Sequence, residues 1–231
     1  MKKFFFSTAV FTAFFLFSCA GLAEKHDTFE LAHETPPFVS SVPSVSSVPS
    51  VSSAPFVPPE SPPVRPDPPV FIMGEGRVNR DTLASFLRLH NPRLDDDFII
   101  SFSRYYVEEA AMEGVNHDIA FAQMCLETNY LRYGGDVKPG QNNFCGLGAT
   151  GGGEPGLSFS DPREGVRAHI QHLKAYGSTD DLNNDLVDLR FRFVNRGRAP
   201  TIQGLTGAWA ADPMYSEKIT AILKKLYEFS F

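Results

Sequence analysis

The chain has 231 residues, a formal net charge of −6, 42% hydrophobic residues and three cysteines. Without Lys2 and Lys3 it carries 19 basic against 27 acidic residues, and no basic run exceeds two residues, which argues against nucleic acid as a partner. No P-loop or dinucleotide fingerprint is present, and the glycines at 146, 148 and 151–153 follow no predicted strand, so they do not read as a phosphate cradle.

The first segment reads as a targeting signal. Lys2 and Lys3 precede an apolar run from Phe4 to Phe17, followed by Ser18, Cys19 and Ala20. Leu16-Phe-Ser-Cys19 resembles a lipobox, with Cys19 as the lipidated residue, although phenylalanine in its second place departs from the usual pattern. Cleavage after Gly21-Leu-Ala23 is the second reading. An uncleaved anchor from Phe4 to Ala23, about 20 residues long, is the third. The leading expectation is a signal peptide over 1–19 and an exported lipoprotein, held to a membrane and facing the periplasm or cell envelope.

Residues 20–75 read as a disordered tether. Ser40-Ser-Val-Pro-Ser-Val45 recurs at 46–51 and, degraded, as Ser52-Ser-Ala-Pro-Phe-Val57. Pro36 to Pro69 holds most of the prolines, with no helical or strand periodicity. At ~3.1 Å per residue, about 50 such residues reach on the order of 150 Å at most.

From about residue 76 the composition becomes that of a folded domain, predicted to be mostly α-helical and monomeric, with one long loop or small hairpin insertion. Asp81 is expected to cap a first helix carrying Leu83, Phe86 and Leu87 and ending before Asn91-Pro92. A second starts near Asp95–Asp97, carries Phe98, Phe102, Tyr105 and Tyr106, and stops at Gly114. Asn116 caps a third, apolar on all sides, that Gly134 and Gly135 are expected to end. Asp161-Pro-Arg-Glu164 supplies a cap, a first-turn proline and an acid for a fourth, with Val166, Ile170, Leu173 and Tyr176 inward. An irregular stretch runs from Gly177 to Gly207. Asp212-Pro213 is expected to open the last helix, which buries Tyr215, Ile219, Ile222 and Leu226.

Within the apolar third helix the only ionisable carboxyl after its first turn is Glu127. A carboxyl in such surroundings finds a partner or keeps its proton with a raised pKa. The ordinary partner is a nearby arginine such as Arg132. The catalytic reading is a general acid, since a carboxyl protonated near neutral pH can protonate the leaving oxygen of a glycoside.

Glu127-Thr128 at a helix end, Asn142-Asn-Phe-Cys-Gly-Leu147 and Asp212-Pro-Met-Tyr-Ser-Glu-Lys-Ile219 occur in that order. Together they resemble bacterial endo-β-N-acetylglucosaminidases, the glucosaminidase-type autolysins and flagellar muralytic domains that cut peptidoglycan. The resemblance implies a lysozyme-like fold for residues 76–231 and cleavage of GlcNAc-β-1,4-MurNAc bonds in peptidoglycan glycan strands, with no cofactor. A muramidase or lytic transglycosylase on the same glycan is the alternative within the class, and a non-catalytic wall-binding lipoprotein the alternative outside it.

The resemblance also assigns roles. Glu127 is the acid, and Tyr215 faces it to bond the substrate's acetamido group or the attacking water. Asn143, Phe144 and Gly146 belong to the loop lining the sugar site. Trp209, the single tryptophan, is a stacking platform or core. The resemblance fixes no second carboxylate; the candidates are Glu154, Asp161 and Asp136, with Glu154 the one read as catalytic, and the substrate's own 2-acetamido group is the other route. An oxidising compartment permits a disulfide between Cys125 and Cys145, with two buried reduced thiols as the alternative. His169 and His172, three apart, have metal-compatible spacing without a further ligand, so a solvated helix face is the default and no metal is expected.

Overall fold

The computed structural model describes residues 65–149 and 152–231; the signal, Cys19 and the Ser/Val/Pro repeats lie outside the described residues. The fold is helical, and among the described residues extended backbone forms only three isolated bridges. Its helices are α1 (Arg80–His90), α2 (Asp96–Glu113), α3 (His117–Glu127), α4 (Pro162–Gly177), α5 (Ile202–Leu205) and α6 (Tyr215–Ser230), with short 3-10 turns at Pro139–Gln141 and Phe191–Phe193.

Most helix starts follow from side chains that accept the free N–H groups of a first turn. Asp95 accepts from Phe98 N, Asn116 from Asp118 N and Ile119 N, and Asp161 from Glu164 N. Two starts differ from the sequence reading. Asn79, not Asp81, caps α1, leaving Asp81 in the first turn. The last helix begins at Tyr215, because the Asp212 side chain is occupied by Met214 N and Lys218 in a turn before it.

The helix α3 is the axis of the core. Every residue from His117 to Cys125 is buried, as an all-round apolar helix requires. It packs against α2, α4 and α6, and α2 packs in turn on α1 and α4. The large side chains Phe86, Phe102, Tyr106, Phe121 and Tyr227 are almost wholly inside, each contributing roughly 1.5–3 kcal/mol by leaving water.

Buried ion pairs fix α4 against α2. Glu109 accepts from Arg163 Nε at 2.6 Å and Arg167 Nε at 2.8 Å. Glu113 accepts from Lys174 Nζ at 2.8 Å and from the backbone N–H groups of Asn183 and Asn184, which ties down the start of the long loop. The fold also begins earlier than residue 76. Ile72 is fully buried, its N–H donates to Pro200 O, and its carbonyl accepts from Asn116 N, the cap of α3. Val70 O accepts from Ile202 N. The segment preceding Gly76 is therefore part of the body, where the proline density had suggested tether. Among the described residues, no helix is long and apolar enough to cross a membrane.

Candidate active site

Glu127 is the last residue of α3. The helix stops there because Thr128 turns its hydroxyl back, donating to Met124 O at 2.7 Å and accepting from Leu131 N at 2.9 Å. Asn129, Tyr130, Leu131 and Tyr133 then adopt left-handed backbone, with φ of 49°, 56°, 58° and 59°. Non-glycine residues in that region cost of order 1 kcal/mol or more each, and such strain clusters at functional sites. It is held by Tyr133 N donating to Thr128 O at 2.7 Å and Asn91 Nδ2 donating to Tyr130 O at 2.8 Å. The sequence reading had α3 running on to Gly134. Thr128 wins instead, so Glu127 lies at a chain reversal on the rim of the core.

Three elements converge on this carboxylate. Tyr215, the first residue of α6, donates its hydroxyl to Glu127 Oε1. Gly146, with φ 72°, lies so close that a Cβ there would sit 3.9 Å from Glu127 Oε2. The Trp209 indole N–H approaches in a looser geometry, without a full hydrogen bond. Arg132 is not a partner, since its guanidinium donates to His90 O.

By surface area Glu127 is exposed, yet crowding by protein atoms is the main cause that raises its pKa above the ordinary 4.5. Glu127 thus touches water while protein atoms from three elements crowd its carboxyl. The bond from Tyr215 and the looser approach of Trp209 act in the opposite direction and only partly offset the rise. Tyr215 is buried, and desolvation, then the Glu127 charge, hold its phenol well above 10. It is a protonated donor throughout the neutral range. Its oxygen in turn accepts from Gln123 Nε2 at 2.7 Å, one turn back along α3.

The structure redistributes the other expected residues. Asn143 is fully buried and spent inside its loop: Nδ2 donates to Leu147 O and Leu157 O, and Oδ1 accepts from Leu147 N. It shapes the loop and has no donor left for a sugar. Phe144 is almost fully buried, edge-on to Phe102 at 4.7 Å between centroids. It also forms part of a hollow of about 310 Å³ with Leu94, Phe98, Leu131, Tyr133 and Asn142, just past the left-handed run. Another hollow, of about 350 Å³ and lined by Gly74, Gly76 and His117, lies by the start of α3, one helix length (~15 Å) from Glu127. Trp209 is half-buried, its ring centroid 5.0 Å from that of His172 and 5.9 Å from that of His169.

Glu154 is exposed on its loop, and no hydrogen bond or ion pair of its side chain occurs among the described residues. Asp161 caps α4, and Asp136 accepts from Gly153 N at 3.2 Å. Cys125 and Cys145 are both free and buried, so the disulfide is not formed. Cys125 belongs to the main core, whereas Cys145 packs with Leu147 and Ala168 in a separate cluster.

The histidines are not a solvated face. His169 is fully buried between Tyr106 Oη at 3.0 Å and Gln123 Oε1 at 3.0 Å, and His172 Nδ1 meets Asp188 Oδ2 at 2.7 Å. Among the described residues no three His, Cys, Asp or Glu side chains converge as a metal site. Gln123 is what the sequence reading missed, while His169 was singled out only for its spacing to His172. The available signal was a glutamine inside an otherwise apolar helix, four residues before the acid.

Residues 103–228 match the family described as mannosyl-glycoprotein endo-beta-N-acetylglucosaminidase, the Glucosaminidase family. The chain is also 44% identical over 160 residues to an uncharacterized protein of Borreliella burgdorferi, covering 69% of this chain and 78% of that one.

Proposed function

The chain belongs to the glucosaminidase family of glycan hydrolases, and from that premise we propose that it cuts the GlcNAc-β-1,4-MurNAc bond of peptidoglycan as an endo-β-N-acetylglucosaminidase. The observation carrying this reading is Glu127 itself: a water-accessible carboxyl with a raised pKa, bonded by Tyr215 and faced by the glycine backbone of the 142–147 loop. That is the equipment a general acid needs beside an extended polymer. Such a substrate lies outside the cytoplasmic membrane, in agreement with the export signal and Cys19 anchor expected of residues 1–19.

In the first step Glu127 gives its proton to the glycosidic oxygen as the bond to C1 breaks. The carbonyl oxygen of the substrate's 2-acetamido group bonds C1 from the opposite face, closing a cationic five-membered ring. In the second step water attacks C1, the ring reopens, and the water's proton returns to the Glu127 carboxylate. Tyr215 stabilises that carboxylate by donation to Oε1, and its remaining lone pair is free to accept from the acetamido N–H or from the water. Trp209, half-buried beside the acid, offers an apolar ring face to a pyranose.

The acetamido route is preferred over a second carboxylate because Asp161 and Asp136 are engaged elsewhere and Glu154 projects from an exposed loop with no partner among the described residues. Digestion of purified peptidoglycan followed by mass spectrometry tests the reading, with GlcNAc expected at the new reducing end. MurNAc or a 1,6-anhydro sugar there would make the enzyme a muramidase or a transglycosylase. NMR of the fresh product should show the β anomer, and Glu154→Gln should cost little activity. An α product, with a large loss in Glu154→Gln, would move the second role to Glu154.

A further inference from the structure

Behind Glu127 a single file of buried hydrogen bonds runs through four helices, α6, α3, α4 and α2. Tyr215 Oη meets Glu127 Oε1, Gln123 Nε2 meets Tyr215 Oη, His169 Nε2 meets Gln123 Oε1, and Tyr106 Oη meets His169 Nδ1. Tyr106, Gln123 and His169 are fully buried and Tyr215 nearly so. None of the first three touches the space a substrate would occupy.

Such a file has only two self-consistent arrangements of protons. A carboxamide oxygen only accepts and its nitrogen only donates, and a neutral imidazole donates from one nitrogen and accepts at the other. In the forward arrangement Tyr106 donates to His169 Nδ1, His169 Nε2–H to Gln123, Gln123 to Tyr215, and Tyr215 to Glu127 Oε1. In the reverse one the amide is flipped, every donor becomes an acceptor, and Glu127 must spend its own proton on Tyr215.

One residue decides between them. Tyr106 has His169 as its sole hydrogen-bond partner among the described residues. In the reverse arrangement its O–H proton would be buried with no acceptor, which is unfavourable enough to leave that arrangement scarce. Burial also keeps the participants in the states the file needs. It holds the His169 imidazole down at about 3, with His172 adding to the effect, and it raises the Tyr106 phenol well above 10, with the Cys145 and Cys125 thiols adding to that.

We infer that Tyr106, His169 and Gln123 form a directional relay that keeps the Tyr215 proton on Glu127 Oε1, so that the acid carries its own proton on Oε2, the oxygen facing Gly146 and the sugar loop. The three are positioning residues, acting through Tyr215. This rests on the reading of Glu127 as the acid, but the direction of the file is a separate property of the folded protein.

The test is ¹⁵N NMR of the histidine rings in the labelled protein, with kinetics on Tyr106→Phe. In the wild type His169 should be the neutral Nε2–H tautomer, unchanged between about pH 5 and 8. An Nδ1–H tautomer or an imidazolium would overturn the relay. Tyr106→Phe keeps the ring and removes the buried O–H; the reverse arrangement then leaves His169 Nδ1–H unpaired and the forward one only its Nδ1 lone pair, so the bias weakens and the second tautomer should become detectable. kcat should fall by the fraction in that form, at most about twofold, at unchanged KM. Tyr106→Phe in a Tyr215→Phe background should cost nothing further, whereas a packing role would give additive losses. A single unchanged tautomer in Tyr106→Phe would also refute the assignment. Should that variant fail to fold, the wild-type tautomer decides alone. Full activity in Glu127→Gln beside the expected tautomer would defeat the functional reading and leave the relay standing.

Discussion

As the proposed general acid, Glu127 sits where two requirements conflict. A general acid must be reached by its substrate, yet must be kept from bulk water so that it still holds a proton near neutrality. The end of α3 meets both, because the carboxylate is exposed in area and crowded in its surroundings. Its pKa is raised on folding, so the folded protein binds this proton more tightly than the unfolded chain. The stability linked to it is fully present below the ordinary value of 4.5 and is lost as pH rises through the folded value. Glu127→Gln should therefore fold at least as well as the wild type, with its advantage in thermal midpoint growing from pH 4 to pH 8. Its activity should fall by ~10²-fold or more, since the amide has no acidic proton to give. Near-wild-type cleavage in a zymogram would falsify the assignment. Equal midpoints across that range would show that the carboxyl is not held in a raised state.

At the scale of elements, α4 is what brings loop and acid together. Gly165 lies in its first turns, and a Cβ there would fall 1.8 Å from Asn142 O and 3.0 Å from the Phe144 ring. Helix and loop backbone are thus in direct contact, and the loop continues to Gly146 beside Glu127. Gly165→Ala should force the loop away, costing about 1–3 kcal/mol as overpacking does, and should lower kcat through Gly146 although residue 165 touches no substrate. Calorimetry and turnover on the same preparation check this; an alanine variant with wild-type stability and rate would contradict so close an approach. Elements of this kind were legible in the sequence only where their causes are local. Asp95, Asn116 and Asp161 announce helix starts because a cap acts within three residues. The end of α3 was misread because two glycines look like a stop, while the actual stop is Thr128 bonding one turn back. The relay was invisible: Gln123 and Tyr215 are 92 residues apart, and Gln123 and His169 are 46 apart. No period or motif encodes that meeting, and Tyr215 was placed only through resemblance.

At the scale of the whole molecule, the question is where the folded domain begins and the expected tether ends. Composition alone puts the change near residue 76, because prolines dominate up to Pro69 and helical patterning starts later. The structure places a short extended segment, Val70 to Gly74, across the far end of the core. Ile72 is fully buried against the last turn of α4, where a Cβ on Gly177 would come within 2.9 Å of it. Its backbone joins Pro200 in the long loop to Asn116 at the head of α3, and Val70 adds the bond to Ile202 at the head of α5. This segment thus ties the loop after α4 to the helix that carries the acid. A chain starting at residue 66 should therefore fold and cleave soluble glycan fragments at the full-length rate. One starting at residue 76 leaves the Ile72 site empty and Asn116 N without its acceptor. Removing a buried isoleucine costs roughly 2–5 kcal/mol, and the lost backbone bonds add to that. Urea unfolding of the two chains should then differ in unfolding free energy by at least that isoleucine term, with activity lost from the shorter chain at temperatures the longer one survives. If both unfold together, the 70–74 segment is an appendage and the boundary belongs at 76.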